Sequence, residues 1–93
     1  MTLTLGGVTF DRVVYDAEGD VLYVHVGDPS TATEFDGVPE GHHVRFSPDG
    51  QLVGITLLSP KWLLEHDGEI VLTLPERTIR ATDLDLGAAL EAA

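Results

Sequence analysis

The sequence contains no cysteine, so no disulfide can brace it and no thiolate cluster can bind zinc or iron–sulfur centres. That absence also suits a reducing compartment. Basic residues are scarce: five Lys and Arg stand against 16 Asp and Glu, for a formal net charge of −11. Nucleic acids and anionic membranes repel such a chain, and Arg12, Arg45, Lys61, Arg77 and Arg80 form no basic stripe. Neither is an expected partner. No apolar run approaches the ~20 residues needed to cross a bilayer. The opening Met1-Thr2-Leu3-Thr4-Leu5-Gly6-Gly7 lacks the basic start and apolar stretch of a secretory signal, so a cytoplasmic protein of bacterial type is the expectation.

Catalytic signatures are missing too. Ser30, Ser47 and Ser59 fall at turn or cap positions, and none occupies a Gly-x-Ser-x-Gly elbow. There is no phosphate-binding loop and no dinucleotide fingerprint. No cofactor and no catalytic residue is therefore expected, and the balance leans away from an enzyme.

What remains is turn and strand grammar in a chain of 93 residues, enough for one domain. Gly6-Gly7 between Thr2-Leu3-Thr4-Leu5 and Val8-Thr9-Phe10 suits a two-residue hairpin, with the second run continuing through Arg12-Val13-Val14-Tyr15. Asp16-Ala17-Glu18-Gly19 breaks the pattern, and Val21-Leu22-Tyr23-Val24-His25-Val26 resumes it. His43-Val44-Arg45-Phe46, the turn Ser47-Pro48-Asp49-Gly50 and Gln51 to Leu58 form a matching hairpin. Residues 29–41 read as a loop with a short edge strand near Thr33-Glu34-Phe35. Ser59-Pro60 opens a short helix that Asp67-Gly68 stops, with Trp62 as a core plug. A strand at Glu69 to Leu74, a short one at Arg77 to Arg80 and a helix after Thr82 follow. The expected fold is mainly β (α+β): an antiparallel β-meander of about five to six strands with one or two short C-terminal helices packed on it.

Two residue groups invite a metal reading. Asp16, Glu18 and Asp20 place carboxylates on one turn, as a hard cation requires, although the spacing is not that of an EF-hand. The bland alternative is that Asp16 and Gly19 shape the first turn, as Pro48, Asp49 and Gly50 shape the second. His25 could join His43 on a transition metal if their strands pair, whereas adjacent His42 and His43 point to opposite faces. The first expectation is a non-enzymatic protein-interaction module offering an acidic surface; the alternative is a metal- or small-ligand-binding protein, with or without enzymatic activity, using Asp16, Glu18 and Asp20 or the histidines.

The run from Val21 to Val26 is apolar on both faces except at His25, which suits a strand covered on both sides. Two short helices cover one side. A second copy of the chain is expected on the other, making a homodimer.

Tyr15-Asp16, Glu18, Asp20, Leu22-Tyr23-Val24 and Val26, then Asp49-Gly50, Leu52-Val53-Gly54-Ile55 and Leu57-Leu58, resemble the family called domain of unknown function 2283. The resemblance covers residues 13–58, a hairpin core, and leaves residues 59–93 as a helix–strand–helix extension of the same single domain. It implies roles for Asp16, Gly19, Asp49 and Gly50 in turns and for Gly54 in a bulge or close packing, with Tyr15 and Tyr23 paired as aromatics. Some relatives look like antitoxin-like partners of small toxin-like proteins, which implies a basic protein partner for this acidic chain.

Overall fold

The computed structural model describes residues 1–91; the last two residues of the 59–93 extension lie outside the described residues. The fold is mainly β, with nine strands in three antiparallel sheets and two helices among the described residues. The first sheet is the hairpin β1 (Leu3–Leu5) and β2 (Val8–Phe10). Gly6 and Gly7 between them have φ of 57° and 79°, the two left-handed positions that a type I′ turn demands.

The run from Val8 to Tyr15 is not one strand. It breaks at Asp11, whose carboxylate accepts the Gly27 backbone N–H at 2.8 Å, and the chain then enters a different sheet. That second sheet has five strands: β3 (Arg12–Asp16), β4 (Val21–His25), β5 (Glu34–Gly37), β6 (His43–Phe46) and β7 (Leu52–Leu58). Their spatial order is β3-β4-β7-β6-β5. After β4 the chain crosses through a 3-10 turn at Pro29–Thr31 to the far edge, and β5, β6 and β7 then return to meet β4. The edge strand expected near Phe35 is β5.

The third sheet pairs β8 (Ile70–Thr73) with β9 (Thr78–Ala81). Helix α1 (Pro60–Asp67) precedes it and α2 (Asp83–Glu91) follows. At the start of α2, Asp85 reaches back to accept the Thr82 backbone N–H at 2.8 Å, the returning half of a capping box supplied by an aspartate.

One face of the five-stranded sheet carries the core. Leu22, Val24, Val44, Ile55 and Leu57 meet Leu5 and Phe10 of the first hairpin, Ile70, Leu72 and Ile79 of the last, and Leu86 and Ala89 of α2. Glu40, in the loop before β6, ties this sheet to β8 by accepting the Thr73 N–H at 2.8 Å and hydroxyl at 2.6 Å. Those two donors hold its carboxyl below the usual range.

Three local expectations are corrected. Ser59 does not cap α1: it sits at φ 55° and its side chain makes no cap hydrogen bond. Asp20 does that work from the β3–β4 turn, accepting the Lys61 N–H at 3.1 Å and the Trp62 N–H at 3.2 Å. Trp62 is no core plug; it is 53% exposed and stacks on His66, with ring centroids 4.0 Å apart. Tyr15 and Tyr23 are not a pair, because Tyr15 lies opposite Leu22 on the core face and Tyr23 opposite Val14 on the other.

Candidate interaction face

The second face of the five-stranded sheet is the chemically distinctive surface. Strand residues two apart share a face, and antiparallel partners line up across strands, so it resolves into three rows. Nearest the β3–β4 turn lie Asp16, Val21 and Leu58. The middle row runs Val14, Tyr23, Thr56, His43 and Gly37. The third runs Arg12, His25, Gly54, Arg45 and Phe35.

Large apolar groups stand open here. Val14 is 60% exposed, Tyr23 47% and Phe35 66%, and Leu58 is also uncovered. The Arg45 guanidinium lies 4.9 Å from the Phe35 ring centroid, a cation–π contact on the open surface. A depression of about 540 Å³ opens on the face among Arg12, Tyr23, His25, Arg45 and Thr56.

His25 is the buried group of this surface, only 6% exposed. Its Nδ1 lies 2.8 Å from the Val26 carbonyl oxygen. A carbonyl only accepts, so Nδ1 is protonated and donates to it; the other ring nitrogen is Nε2. That Nε2 is buried and without a hydrogen-bond partner among the described residues. The ring fits because position 54 on the neighbouring strand has no side chain; a β carbon there would meet His25 Cδ2 at 2.7 Å and Arg45 Cβ at 3.2 Å.

Charge is distributed unevenly. Of the five cations in the chain, Arg12 and Arg45 stand in these rows, against Asp16 as the one acid. At the rim, Asp11 and Asp28 sit near Arg12 and His25. Both have lowered pKa values, chiefly because Asp11 accepts the Gly27 N–H and Asp28 the Ser30 N–H.

The residues considered for a metal are placed as follows. Asp16 accepts the Gly19 N–H at 3.3 Å within the first turn, and Glu18 is exposed on that turn. The left-handed residue there is Asp20, at φ 51°, and not Gly19. Asp20 is committed to α1 and also accepts the Tyr15 hydroxyl at 2.7 Å. Burial first, and then Asp20, push the Tyr15 phenol up to about 12. His25 and His43 share the face but stand two strands apart and two residues out of step, roughly 12 Å between backbones at ordinary strand spacing. His42 points into the core, where its Nδ1 accepts the Leu58 N–H at 3.0 Å. Among the described residues, no group of three or more His, Asp or Glu side chains is gathered to hold a metal. In the second turn, Pro48 and Asp49 lead to Gly50 at φ 82°, and the Gly50 N–H bonds the Ser47 carbonyl at 2.9 Å.

No described helix is long and apolar enough to cross a membrane. Sequence reasoning expected one sheet face left to a partner copy, but it did not name the residues of the open rows and missed the pairing of His25 with Gly54. Strands apolar on both faces, at Val13-Val14-Tyr15 and Val21 to Val24, were a signal for the first, and Gly54 inside an apolar strand for the second.

The molecule is therefore a small antiparallel β domain built round a five-stranded sheet with one covered and one open face. The chain belongs to the family described as Protein of unknown function (DUF2283), whose model matches residues 12–59. That span coincides with the five-stranded sheet, from the first residue of β3 to just past the end of β7. The first hairpin, both helices and the β8–β9 hairpin, which pack on the covered face, lie outside it. Neither curated proteins nor solved structures match the chain.

Proposed function

We propose that this chain is a non-enzymatic protein-interaction module whose working surface is the open face of its five-stranded sheet. The observation that carries the reading is the exposure of Val14, Tyr23, Phe35 and Leu58 on one face of one sheet. Scattered surface apolar residues need no explanation, whereas several sharing a flat face favour protein contact. Aromatic and arginine side chains are the types that anchor interfaces, and Tyr23, Phe35, Arg12 and Arg45 supply them.

The test uses the intact chain as tagged bait in an extract of its native host, with an untagged copy of the chain also present. Wild type is compared with a Val14→Glu/Tyr23→Glu variant, with circular dichroism to verify folding. Retention of an identified protein, or of the untagged copy, by wild type and its loss in the variant is the expected outcome. Equal retention by both baits, or none by either, overturns the reading. A basic, toxin-like partner held by the acidic remainder of the surface is the form of interaction that the net charge of −11 favours. It would be released by salt and be indifferent to the Val14 and Tyr23 substitutions.

A further inference from the structure

We infer that the occupant of the open sheet face is a second copy of this chain, packed face to face about a two-fold axis. This rests on the reading of that face as a docking surface. Two observations bear on the occupant.

The first is charge. Two chains of net charge −11 repel one another wherever their acidic surfaces meet. The three cross-strand rows carry two arginines and one aspartate, with Asp11 and Asp28 at the rim, so the face is close to neutral while the rest of the chain holds the excess of acid. Like copies therefore approach at least cost through this face. A strongly basic partner would be drawn to the remainder.

The second is size. Five strands at ~4.8 Å spacing and about five residues at ~3.3 Å make a face of roughly 24 by 17 Å, about 400 Å² in projection. Two such faces hide about 800 Å² in projection, short of the ~1,600 Å² of accessible surface in a standard stable interface. A contact of this size belongs with the small, reversible interfaces. Sheets that stack this way lie ~10 Å apart with strands near −30°, so the dimer is a β-sandwich assembled from two chains.

The experiment is sedimentation equilibrium of the purified full chain across the micromolar range, at low and at high sodium chloride. A monomer–dimer equilibrium that tightens with salt is expected, because screening removes the like-charge repulsion and leaves the apolar contact. Val14→Glu and Tyr23→Glu, each verified as folded by circular dichroism, should weaken dimerisation at least tenfold. Leu84→Glu, on the exposed side of α2, should leave it unchanged. If Tyr23→Glu fails to fold, Val14→Glu and Phe35→Lys take its place. A monomer at every concentration, a dimer weakened by salt, or a dimer lost on Leu84→Glu overturns the assignment. A monomer whose Val14 and Tyr23 still mediate capture of a host protein removes the second copy and leaves the docking surface standing.

Discussion

His25 lies across Gly54 of the adjacent strand, so close that a β carbon at position 54 would come within 2.7 Å of the imidazole. Gly54→Ala should destabilise the domain by about 1–3 kcal/mol, the usual cost of forcing extra volume into a packed site. Part of that cost should vanish in a His25→Ala background, since Arg45 Cβ remains near. Urea denaturation of the four chains of this double-mutant cycle measures the coupling. Strictly additive effects would show that the close approach carries no energy.

Asp20 holds three donors: the Tyr15 hydroxyl and the Lys61 and Trp62 backbone N–H groups. Asp20→Ala should cost about 2 kcal/mol, combining a lost helix cap with an alanine forced to φ 51°. Asp20→Asn should cost clearly less, because asparagine tolerates that backbone and retains an acceptor. Equal losses in thermal unfolding would refute the double role. Asp16→Ala, which removes one exposed turn contact at 3.3 Å, should change stability by less than about 0.5 kcal/mol.

Tyr15 has its phenol raised from 10.0 to about 12, first by burial and then by Asp20. The folded state keeps its proton where the unfolded state has lost it. The stability this provides is complete below pH 10 and drains away as pH rises toward 12. In a Tyr23→Phe variant, absorbance titration of the remaining tyrosine should report ionisation near the upper value. A midpoint at 10.0 would contradict the contact.

Burial depresses the pKa of His42 below 6.5, with the Glu40 carboxylate working against it. Above 6.5 both folded and unfolded states are neutral at this residue, and its contribution is intact. As pH falls below that value the unfolded chain takes up a proton that the folded chain resists, so stability declines, by at most ~1.4 kcal/mol per pH unit. The decline ends once the folded-state value is passed. His42→Asn, which keeps an acceptor for the Leu58 N–H, should flatten this part of the pH–stability curve. An unchanged slope would place its origin elsewhere.

The hairpins were legible because their determinants are local. Gly6-Gly7, Pro48-Asp49-Gly50 and the alternation of His43 to Phe46 each specify geometry within a few residues. What was hidden depends on groups distant in sequence. Asp20 reads as a turn acid, and only the arrival of α1 some forty residues later makes it a helix cap. Ser59 and Trp62 were misread for the same reason, since a cap motif and a hydrophobic side chain do not reveal which neighbour occupies the space. The break at Asp11 reflects a bond to Gly27 that no local pattern encodes. Of the open face, the sequence showed that the run from Val21 to Val26 is apolar on both sides, while the assembly of Val14 and Tyr23 with Phe35 and Arg45 required the strand order.

The pairing of β4 with β7 also governs when the sheet can exist. Two locally formed pieces, the β3–β4 hairpin and the β5–β6–β7 meander, are joined by this single seam. On the ribosome the first piece must wait for the last strand of the second to emerge, holding Leu22 and Val24 without their partners Leu57 and Ile55 meanwhile. Such non-local closure slows folding relative to a chain of consecutive hairpins. The seam therefore makes synthesis the interval in which this domain is most exposed to aggregation.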